Sequence, residues 1–547
     1  MGIITPGRRP AIGEIRAYYT RPEILNEILQ AMQRWHVSFV PGYVKQSWVY
    51  IEDAAKLRAM LMQPLDLMEQ YPERTEYPYF RINWARHNPA HSWNKDTLRG
   101  YDFVIEKDSF LWQECFEAML PVMDILEHFG VTYWLKYTGH HSLHLVVPAE
   151  CFPREVRGVP LTDVHEAVYH RLMVFLNKRA RQHYNEHNRH CPPGTNMPYS
   201  VNEDTGLVNI PLLREELATF RPWQASIYLV QPRDFWRSVP ESARGCAAGL
   251  LDKVLRPSGE QARFYPPPVI PSERSESRNL LTMSTEIPRM HSASFRFARN
   301  DGIPENSDNC INIRERRLAV WKLMLSSDEN DSPTLIAALA DEDADVRWFA
   351  AEALARIGSL DALPALLALP YDDMTGACLV DFCVRHGEVS IPALIEALKT
   401  FTAPWSSPPV DKALERIGEV SISHLQKLLD DSNHDVRKRA ASILERISGT
   451  PTLDDVLAMS TTHNRKHNAA QMLGWYDEPR AHQRLTELTT DRNPRVRKDA
   501  IKALLWTDHP DAEQLLQRAL TDENDKVRRW AENGIAVYTV LKRLAIV

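Results

Sequence analysis

A repeat of about 30 residues in the C-terminal half most limits how this chain can fold. Triplets of the form DVR, RVR or KVR recur at intervals of 90, 60 and 31 residues, centred on Val346, Val436, Val496 and Val527. Each unit holds one helical segment such as VRWFAAEALARIG and a second such as IPALIEAL. Because one such unit cannot bury its apolar face alone, neighbouring units must stack to cover it. Residues 313–547 are therefore predicted to form an all-α solenoid.

The Asp and Arg residues of this DxxVR pattern admit two interpretations. They could bind a ligand along the array, but Asp is also a preferred N-cap at the start of a helix. We favour the structural role, in which these side chains cap the helices and connect one repeat to the next. The repeats resemble the HEAT-like family of the bilin-lyase type, and that resemblance implies a surface for docking a protein partner.

Composition limits the remaining possibilities. Residues 256–312 are rich in Pro, Ser and Arg without sustained periodicity, which predicts a disordered linker or insertion. The net charge of -7 argues against a general polycation, so nucleic acid would need a local basic groove. Seven scattered cysteines without a CxxC pair indicate reduced thiols rather than structural zinc. No apolar run is long enough to span a membrane, and we expect a cytoplasmic protein.

The centre of the N-terminal half contains a pair of acidic residues at the end of an apolar run. In YDFVIEKD, an extended segment from Phe103 to Ile105 leads into Glu106 and Asp108. Side chains two positions apart in a strand point to the same face of the sheet. These two carboxylates could therefore share a divalent cation.

A helix and a histidine-rich hairpin follow this pair. Residues 110–129 have helical periodicity, and residues 131–137 and 143–147 read as two strands connected around Gly139. His140, His141 and His144 lie in or beside this connection, so the histidines and the carboxylates could meet on one sheet. Such features also occur in many proteins as solvated turns, which is the simpler alternative.

The flanking segments carry weaker patterns. Residues 11–62 read as helix, short strands and helix, and residues 71–100 as an irregular crossing segment. Basic and aromatic residues alternate in the first of these, as in a nucleotide-binding surface or as in ordinary half-buried strands. Downstream of a helix at 161–184, Thr205 and Gly206 form a turn where a phosphate could bind.

Four segments, in order, resemble motifs of the archaeo-eukaryotic primase superfamily. YDFVIEKD is similar to ADLVFDID, with Glu106 and Asp108 at the two metal-binding acids and Asp102 at a preceding, non-catalytic Asp. TGHHSLHLVV resembles SGRRGVH, and PYSVNEDTGLVNIPL resembles PGSLHGKTGLV. RWHVSF resembles the REFGF that opens the family's small primase subunits. These matches span about 210 residues within residues 11–255.

The resemblance implies an α+β primase-like domain with an RRM-like sheet, acting in DNA replication or repair. It implies Mg²⁺ or Mn²⁺ bound by Glu106 and Asp108, and catalysis by these two acids with His144. Nucleoside triphosphates and single-stranded DNA or a primer-template would be the partners. The residues that would contact the nucleotide are Thr138, His140, Ser142, His144, Ser200 and Asn202.

The sequence also departs from the family at several positions. Glu106 replaces Asp, and Asn202 and Asp204 replace the family's His and Lys, so an acid stands where phosphate should bind. No Asp precedes Pro198 at the place of the third metal ligand. Glu186 is the nearest acid, in a stretch that does not resemble a strand.

Three functional hypotheses follow. The first is a divergent, template-dependent nucleotidyltransferase with a HEAT-repeat docking array. The second is a catalytically inactive protein of the same fold that binds nucleotide or nucleic acid and acts as a scaffold. The third, a bilin lyase or pure scaffold, accounts only for the C-terminal half.

Overall fold

A computed structural model describes most of the chain. The described residues are 10, 12–35, 37–40, 47–49, 53–70, 79–82, 85–87, 98–180, 185–186, 195–202, 205–256, 308–369, 372–400, 409–447, 452–461 and 466–544. None of the helices in these ranges is long and apolar enough to cross a membrane. The predicted linker, 256–312, lies mainly outside them.

The N-terminal half combines short strands with a few long helices. Its helices are α1 (Ile12–Tyr19), α2 (Pro22–Met32), α3 (Ala54–Gln70), α4 (Trp112–His128), α5 (Leu161–Ala180) and α6 (Ala248–Val254). Its first strands are β1 (Val37–Val40), β2 (Ser47–Val49), β3 (Tyr79–Ile82), β4 (Ala85–His87), β5 (Leu98–Tyr101) and β6 (Phe103–Asp108). The later strands are β7 (Trp134–Tyr137), β8 (Ser142–Val147), β9 (Glu155–Val156), β10 (Val159–Pro160), β11 (Asn185–Glu186), β12 (Thr195–Asn196) and β13 (Ile210–Leu212).

The central sheet has the strand order β11-β6-β8-β7-β13, and all its described pairs are antiparallel. The chain passes through it as β6-α4-β7-β8-α5-β11. Counted from β6, this is a βαββαβ unit with strand order 4-1-3-2, the split βαβ arrangement. A second sheet, β12-β3-β1-β2, adjoins it.

Alternation along β6 explains why one face of the central sheet is apolar and the other carries charge. Phe103 is fully buried, and its ring packs edge-on against that of Tyr169 on α5, with centroids 5.2 Å apart. Residues two apart share a face, so Glu106 and Asp108 lie on the side opposite α5. The burial of Phe103 against the helix therefore fixes which face the carboxylates occupy.

The C-terminal half is entirely helical within its described residues. Its first helices are α7 (Asp308–Ser326), α8 (Ser332–Ala338), α9 (Ala344–Ile357), α10 (Leu363–Leu367), α11 (Asp373–His386), α12 (Ile391–Thr400) and α13 (Pro409–Ile417). The remaining helices are α14 (Ile422–Lys427), α15 (His434–Ile447), α16 (Leu453–Met459), α17 (Lys466–Leu473), α18 (Pro479–Leu488), α19 (Pro494–Leu504), α20 (Ala512–Ala519) and α21 (Asp525–Arg543). Every second helix packs against the next in the series, as α7 does with α9, α9 with α11, α11 with α13, and α13 with α15.

The repeated Asp and Arg residues cap and connect these helices, which confirms the structural interpretation. Asp343 accepts hydrogen bonds from the backbone N–H groups of Asp345 and Val346 at the start of α9. The arginine of each triplet donates to the carbonyl oxygen six residues earlier, as Arg347, Arg437, Arg497 and Arg528 show. Arg497 also binds the Asp522 carboxylate of the following repeat at 2.8 and 2.9 Å.

The helical array packs directly against the N-terminal half at several places. At one of them, Trp223 meets Trp321 of α7 edge-on with ring centroids 5.3 Å apart. At another, two turns of α5 contact the far end of the array. His170 bonds the Leu505 carbonyl oxygen at 2.9 Å, Arg171 pairs with Asp508 at 3.1 Å, and Lys178 pairs with Asp477 at 2.5 Å.

The structure corrects several predicted boundaries. The segment predicted as irregular, 71–100, contains β3, β4 and most of β5, because pairing with distant strands stabilises stretches too short to show periodicity. Helix α3 continues to Gln70 rather than ending near residue 62. The array begins with Asp308 at the start of α7, five residues before the predicted boundary at 313.

Candidate functional site

Strand β6 places Glu106 and Asp108 side by side where the central sheet ends. Glu106 is mostly buried, with 14% of its side chain exposed, whereas Asp108 is exposed. The pKa of Asp108 is raised, first by desolvation and second by the negative charge of Glu106. His141 and the Ser142 hydroxyl partly oppose that rise. Two carboxylates that repel each other in this way are suited to share a cation.

A row of three titratable side chains crosses the sheet at the level of Glu106. The register pairs Glu106 of β6 with His144 of β8, and His144 with Lys136 of β7. His144 is 2% exposed, and its Nε2 lies 3.0 Å from Glu106 Oε1. This contact fixes the orientation of both the carboxylate and the imidazole.

Lys136, the third member of the row, was not predicted from the sequence as a site residue. It is completely buried and donates to the carbonyl oxygen of Asn196 in the second sheet. Desolvation lowers its pKa to about 7, and the charge of Glu106 partly opposes that shift. The sequence did contain a signal for this residue, which is the single lysine in the otherwise apolar strand WLKY. A buried lysine almost always has a partner, so its position in such a strand indicates a structural or functional role.

The hairpin between β7 and β8 is held by the side chains of its first and last residues. Thr138 Oγ1 and Ser142 Oγ lie 2.8 Å apart, and the Thr138 amide donates to the Ser142 carbonyl oxygen at 3.2 Å. Gly139 turns the chain with φ of 75°, and the rings of His140 and His141 lie 3.9 Å apart at the tip. The Ser109 amide donates to the His141 carbonyl oxygen at 3.0 Å, which joins the tip to the end of β6.

The third motif packs underneath this hairpin. Thr205 Oγ1 donates to the Gly139 carbonyl oxygen at 2.5 Å, and Asn202 Nδ2 donates to the Thr138 carbonyl oxygen at 3.3 Å. A Cβ atom on Gly139 would lie 2.8 Å from the Leu207 carbonyl oxygen, so only glycine fits this approach. The structure thus brings Asn202 to the hairpin, as a buried support. Asp204 lies outside the described residues.

Two other residues of the motifs are buried and form hydrogen bonds in the protein interior. Ser200 is fully buried, and its hydroxyl accepts a hydrogen bond from the Phe80 amide at 2.8 Å. Its hydroxyl is therefore directed to the interior and not to the hairpin tip. Asp102, expected to be non-catalytic, is also fully buried and accepts from Trp35 Nε1 and the Ala149 amide, both at 2.8 Å.

The segment expected to carry a third metal ligand forms a strand after all. In β11, Asn185 is the register partner of Glu106, and Glu186 is the partner of Ile105. The expectation that Glu186 lies outside any strand is therefore wrong. Within the described ranges, no group of three or more His, Cys, Asp or Glu residues is arranged to hold a metal ion.

Comparison with known proteins identifies the C-terminal half. The family of HEAT repeats matches residues 309–375 and 451–536, so this half contains HEAT repeats, as predicted. No curated protein sequence matches the chain.

Similar solved structures include the complex of CpcE and CpcF of phycocyanin lyase from Nostoc sp. PCC7120, with 19% identity. The match covers 44% of this chain and 98% of the chain in that structure, with a TM-score of 0.19. Human deoxyhypusine hydroxylase has 22% identity, covering 43% of this chain and 81% of that one, with a TM-score of 0.17. A designed armadillo repeat protein has 18% identity, covering 42% and 95%, with a TM-score of 0.14.

Proposed function

We propose that the N-terminal half is a divergent primase-like nucleotidyltransferase that joins nucleoside triphosphates on a single-stranded nucleic acid template. The observation that carries this proposal is the pair Glu106 and Asp108 on one sheet face, with His144 bonded to Glu106 at 3.0 Å. The split βαβ connectivity supports it, because an RRM-like sheet has this strand order. The HEAT repeats add a surface suited to docking proteins.

The donor set fits Mg²⁺ or Mn²⁺. Both cations prefer oxygen ligands, and Glu106 and Asp108 offer adjacent carboxylates whose mutual repulsion a cation would relieve. When bound, such a cation stabilises negative charge on the attacking and leaving oxygens of phosphoryl transfer. In this proposal Glu106 and Asp108 are the metal ligands.

The chain's own residues would then hold and orient the nucleotide. His144 is fixed by Glu106, and Thr138 and Ser142 hold the hairpin so that the half-buried His140 and His141 lie at its tip. Imidazole N–H groups donate hydrogen bonds to phosphate oxygens, so these two side chains would contact the triphosphate. Asn202 and Thr205 would act by supporting the hairpin from below.

An extension assay tests this proposal directly. Purified full-length protein is incubated with single-stranded DNA, with or without a primer, labelled ribo- or deoxynucleotides, and Mn²⁺. We expect template-dependent products, and a loss of about 100-fold or more in E106Q and D108N, because charge stabilisation of this kind is worth several kcal/mol. D252N, which neutralises an exposed acid on α6, is the matched control. Absence of product from the wild-type protein, or equal activity in all four proteins, would contradict the proposal.

The second candidate is a catalytically inactive, nucleic-acid-binding scaffold. It is favoured by the third motif, where Asn202 and Thr205 bond to the hairpin backbone, and by the lack of a three-residue metal cluster in the described ranges. This candidate predicts single-stranded DNA binding that weakens with salt. Such binding without any Mn²⁺-dependent product would favour it over the enzyme.

A further inference from the structure

The HEAT array touches the N-terminal half close to the candidate site. Near the end of β6 we define the site mouth as Asp108, Ser109, His140 and His141. Helix α4 begins just after it, and α13 of the array packs against α4 through ion pairs made by Lys412 and Arg416. Lys412 Nζ lies 2.8 Å from Glu114 Oε1, and Arg416 binds both oxygens of Glu117 at 3.0 and 3.1 Å.

Glu114 is the residue that joins the array to the site mouth. One of its oxygens accepts from Lys412, and the other, Oε2, accepts from Ser109 Oγ at 2.8 Å. The Ser109 amide in turn donates to the His141 carbonyl oxygen at 3.0 Å. Three contacts therefore connect an array lysine to the backbone of the histidine hairpin, passing through the residue that follows Asp108.

Burial makes this connection stronger than an ordinary surface pair. The side chains of Lys412 and Glu114 are only 15% and 21% exposed. Gly376 of α11 lies close to Phe110, which follows Ser109, since a Cβ atom built on that glycine would come 4.0 Å from Phe110 Cε2. Partly buried pairs are screened less by salt than exposed ones.

We infer that the array positions the site mouth through the contacts Lys412–Glu114–Ser109–His141, so that docking of the array sets the geometry around Asp108. Lys412 is thus a positioning residue that acts through Glu114 and touches no substrate. This inference rests on the proposed function, since it assigns the mouth to that site. Loss of the Lys412 charge removes one of the bonds that hold the Glu114 carboxylate and leaves the more distant Arg416, at 4.0 Å, as its cationic neighbour in α13.

The test compares two array ion pairs in the full-length protein. K412M breaks the pair beside the site mouth. K178M is the matched control, because Lys178 makes the Asp477 pair at the other end of the array and is similarly buried, with 21% exposed. The first measurement is hydrogen–deuterium exchange of peptides covering residues 105–115 and 138–146. The second is the affinity for Mn²⁺ by calorimetry.

We expect exchange in both peptides to be about threefold faster in K412M, and unchanged in K178M, because loss of the Lys412–Glu114 pair makes local opening around the site mouth easier. Mn²⁺ affinity should fall by a similar factor in K412M, and K412R should restore both. Equal exchange in K412M and K178M overturns the inference. The exchange result needs no bound metal or turnover, so it decides this inference even if the wild-type protein binds no Mn²⁺, which would count against the proposed function alone.

Discussion

Asp108 shows how a candidate site can lower the stability of the chain that carries it. Its raised pKa means that the folded protein holds the proton more tightly than the unfolded chain does. The stability contributed by this group is therefore present at low pH and is lost as the pH rises through the folded-state pKa.

We predict that D108N is more stable than the wild-type protein at pH 7 in metal-free buffer, and that this difference shrinks towards pH 4. The substitution removes the repulsion with Glu106 and keeps the shape of the side chain. The same variant should bind Mn²⁺ at least about tenfold more weakly, because one charged ligand is lost. Thermal unfolding with and without Mn²⁺ measures both effects. A lower melting temperature for D108N at pH 7 would refute this account of the pair.

Lys136 yields a second prediction, with the opposite pH dependence. Its pKa is lowered to about 7 in the folded protein, so between pH 7 and about 10 the unfolded chain binds the proton that the folded one lacks. Stability conferred by this group therefore rises with pH in that window.

The comparison is between the wild-type protein and K136M. The unfolding free energy of the wild type, minus that of the variant, should increase by about 1 kcal/mol per pH unit from pH 7 to 9. Urea unfolding at several pH values provides the measurement. A difference that stays flat with pH would mean that Lys136 is charged in the folded state throughout.

The sequence could predict part of this residue pattern and not the rest. Alternation along a strand is local, so it placed Glu106 and Asp108 on one face correctly. The pairing of His144 with Lys136 depends on strand register, which brings together residues on separate strands. Ser200 illustrates the converse, because a motif match cannot show that its hydroxyl is directed to the Phe80 amide in the interior.

Among the elements, the hairpin depends most on one glycine. We predict that G139A destabilises the protein by about 3 kcal/mol, since the left-handed backbone costs about 1–2 kcal/mol and overpacking against Leu207 and Asn202 adds about as much again. G158A is the control. Gly158 has the same φ of 75° with nothing within 4 Å of an added Cβ atom, so only the backbone cost of about 1–2 kcal/mol applies. Chemical denaturation distinguishes the two, and equal losses would exclude the close approach at Gly139.

The accuracy of prediction at this scale follows the length of each element. Helices α2, α4 and α5 were predicted close to their observed places, because their buried residues recur with helical spacing over several turns. Strands β3, β4 and β11 have two to four residues each, too few for a period, and distant partners determine them. The elements missed by sequence were therefore those without local information.

For the whole molecule, the contacts between the halves predict that they stay together without a covalent link. A protease site inserted within 257–307 would allow the chain to be cut after purification. We expect the cut protein to elute as one species at about 0.15 M salt, because Trp223–Trp321 and the His170 contact with Leu505 remain when ion pairs are screened. Uncut protein serves as the control, and elution of two separate fragments would show that the linker alone holds the halves together.

The interface between the two halves could not be predicted from the sequence. A repeat period reports that helices will stack on one another, since each unit needs its neighbours to bury its apolar face. The period gives no information about which other surface the folded array will contact. The acceptors for Lys178 and Arg171 are Asp477 and Asp508, which lie 299 and 337 residues further along the chain.

The contact of one array with both α4 and α5 has a mechanical consequence. Stacked helical repeats deform elastically along their length, because each repeat touches only its neighbours. Because the array is attached to the same sheet through both α4 and α5, bending of the array changes the distance between its two attachment points and strains these helices. A force applied anywhere along the repeats would therefore reach the two helices that cover the central sheet.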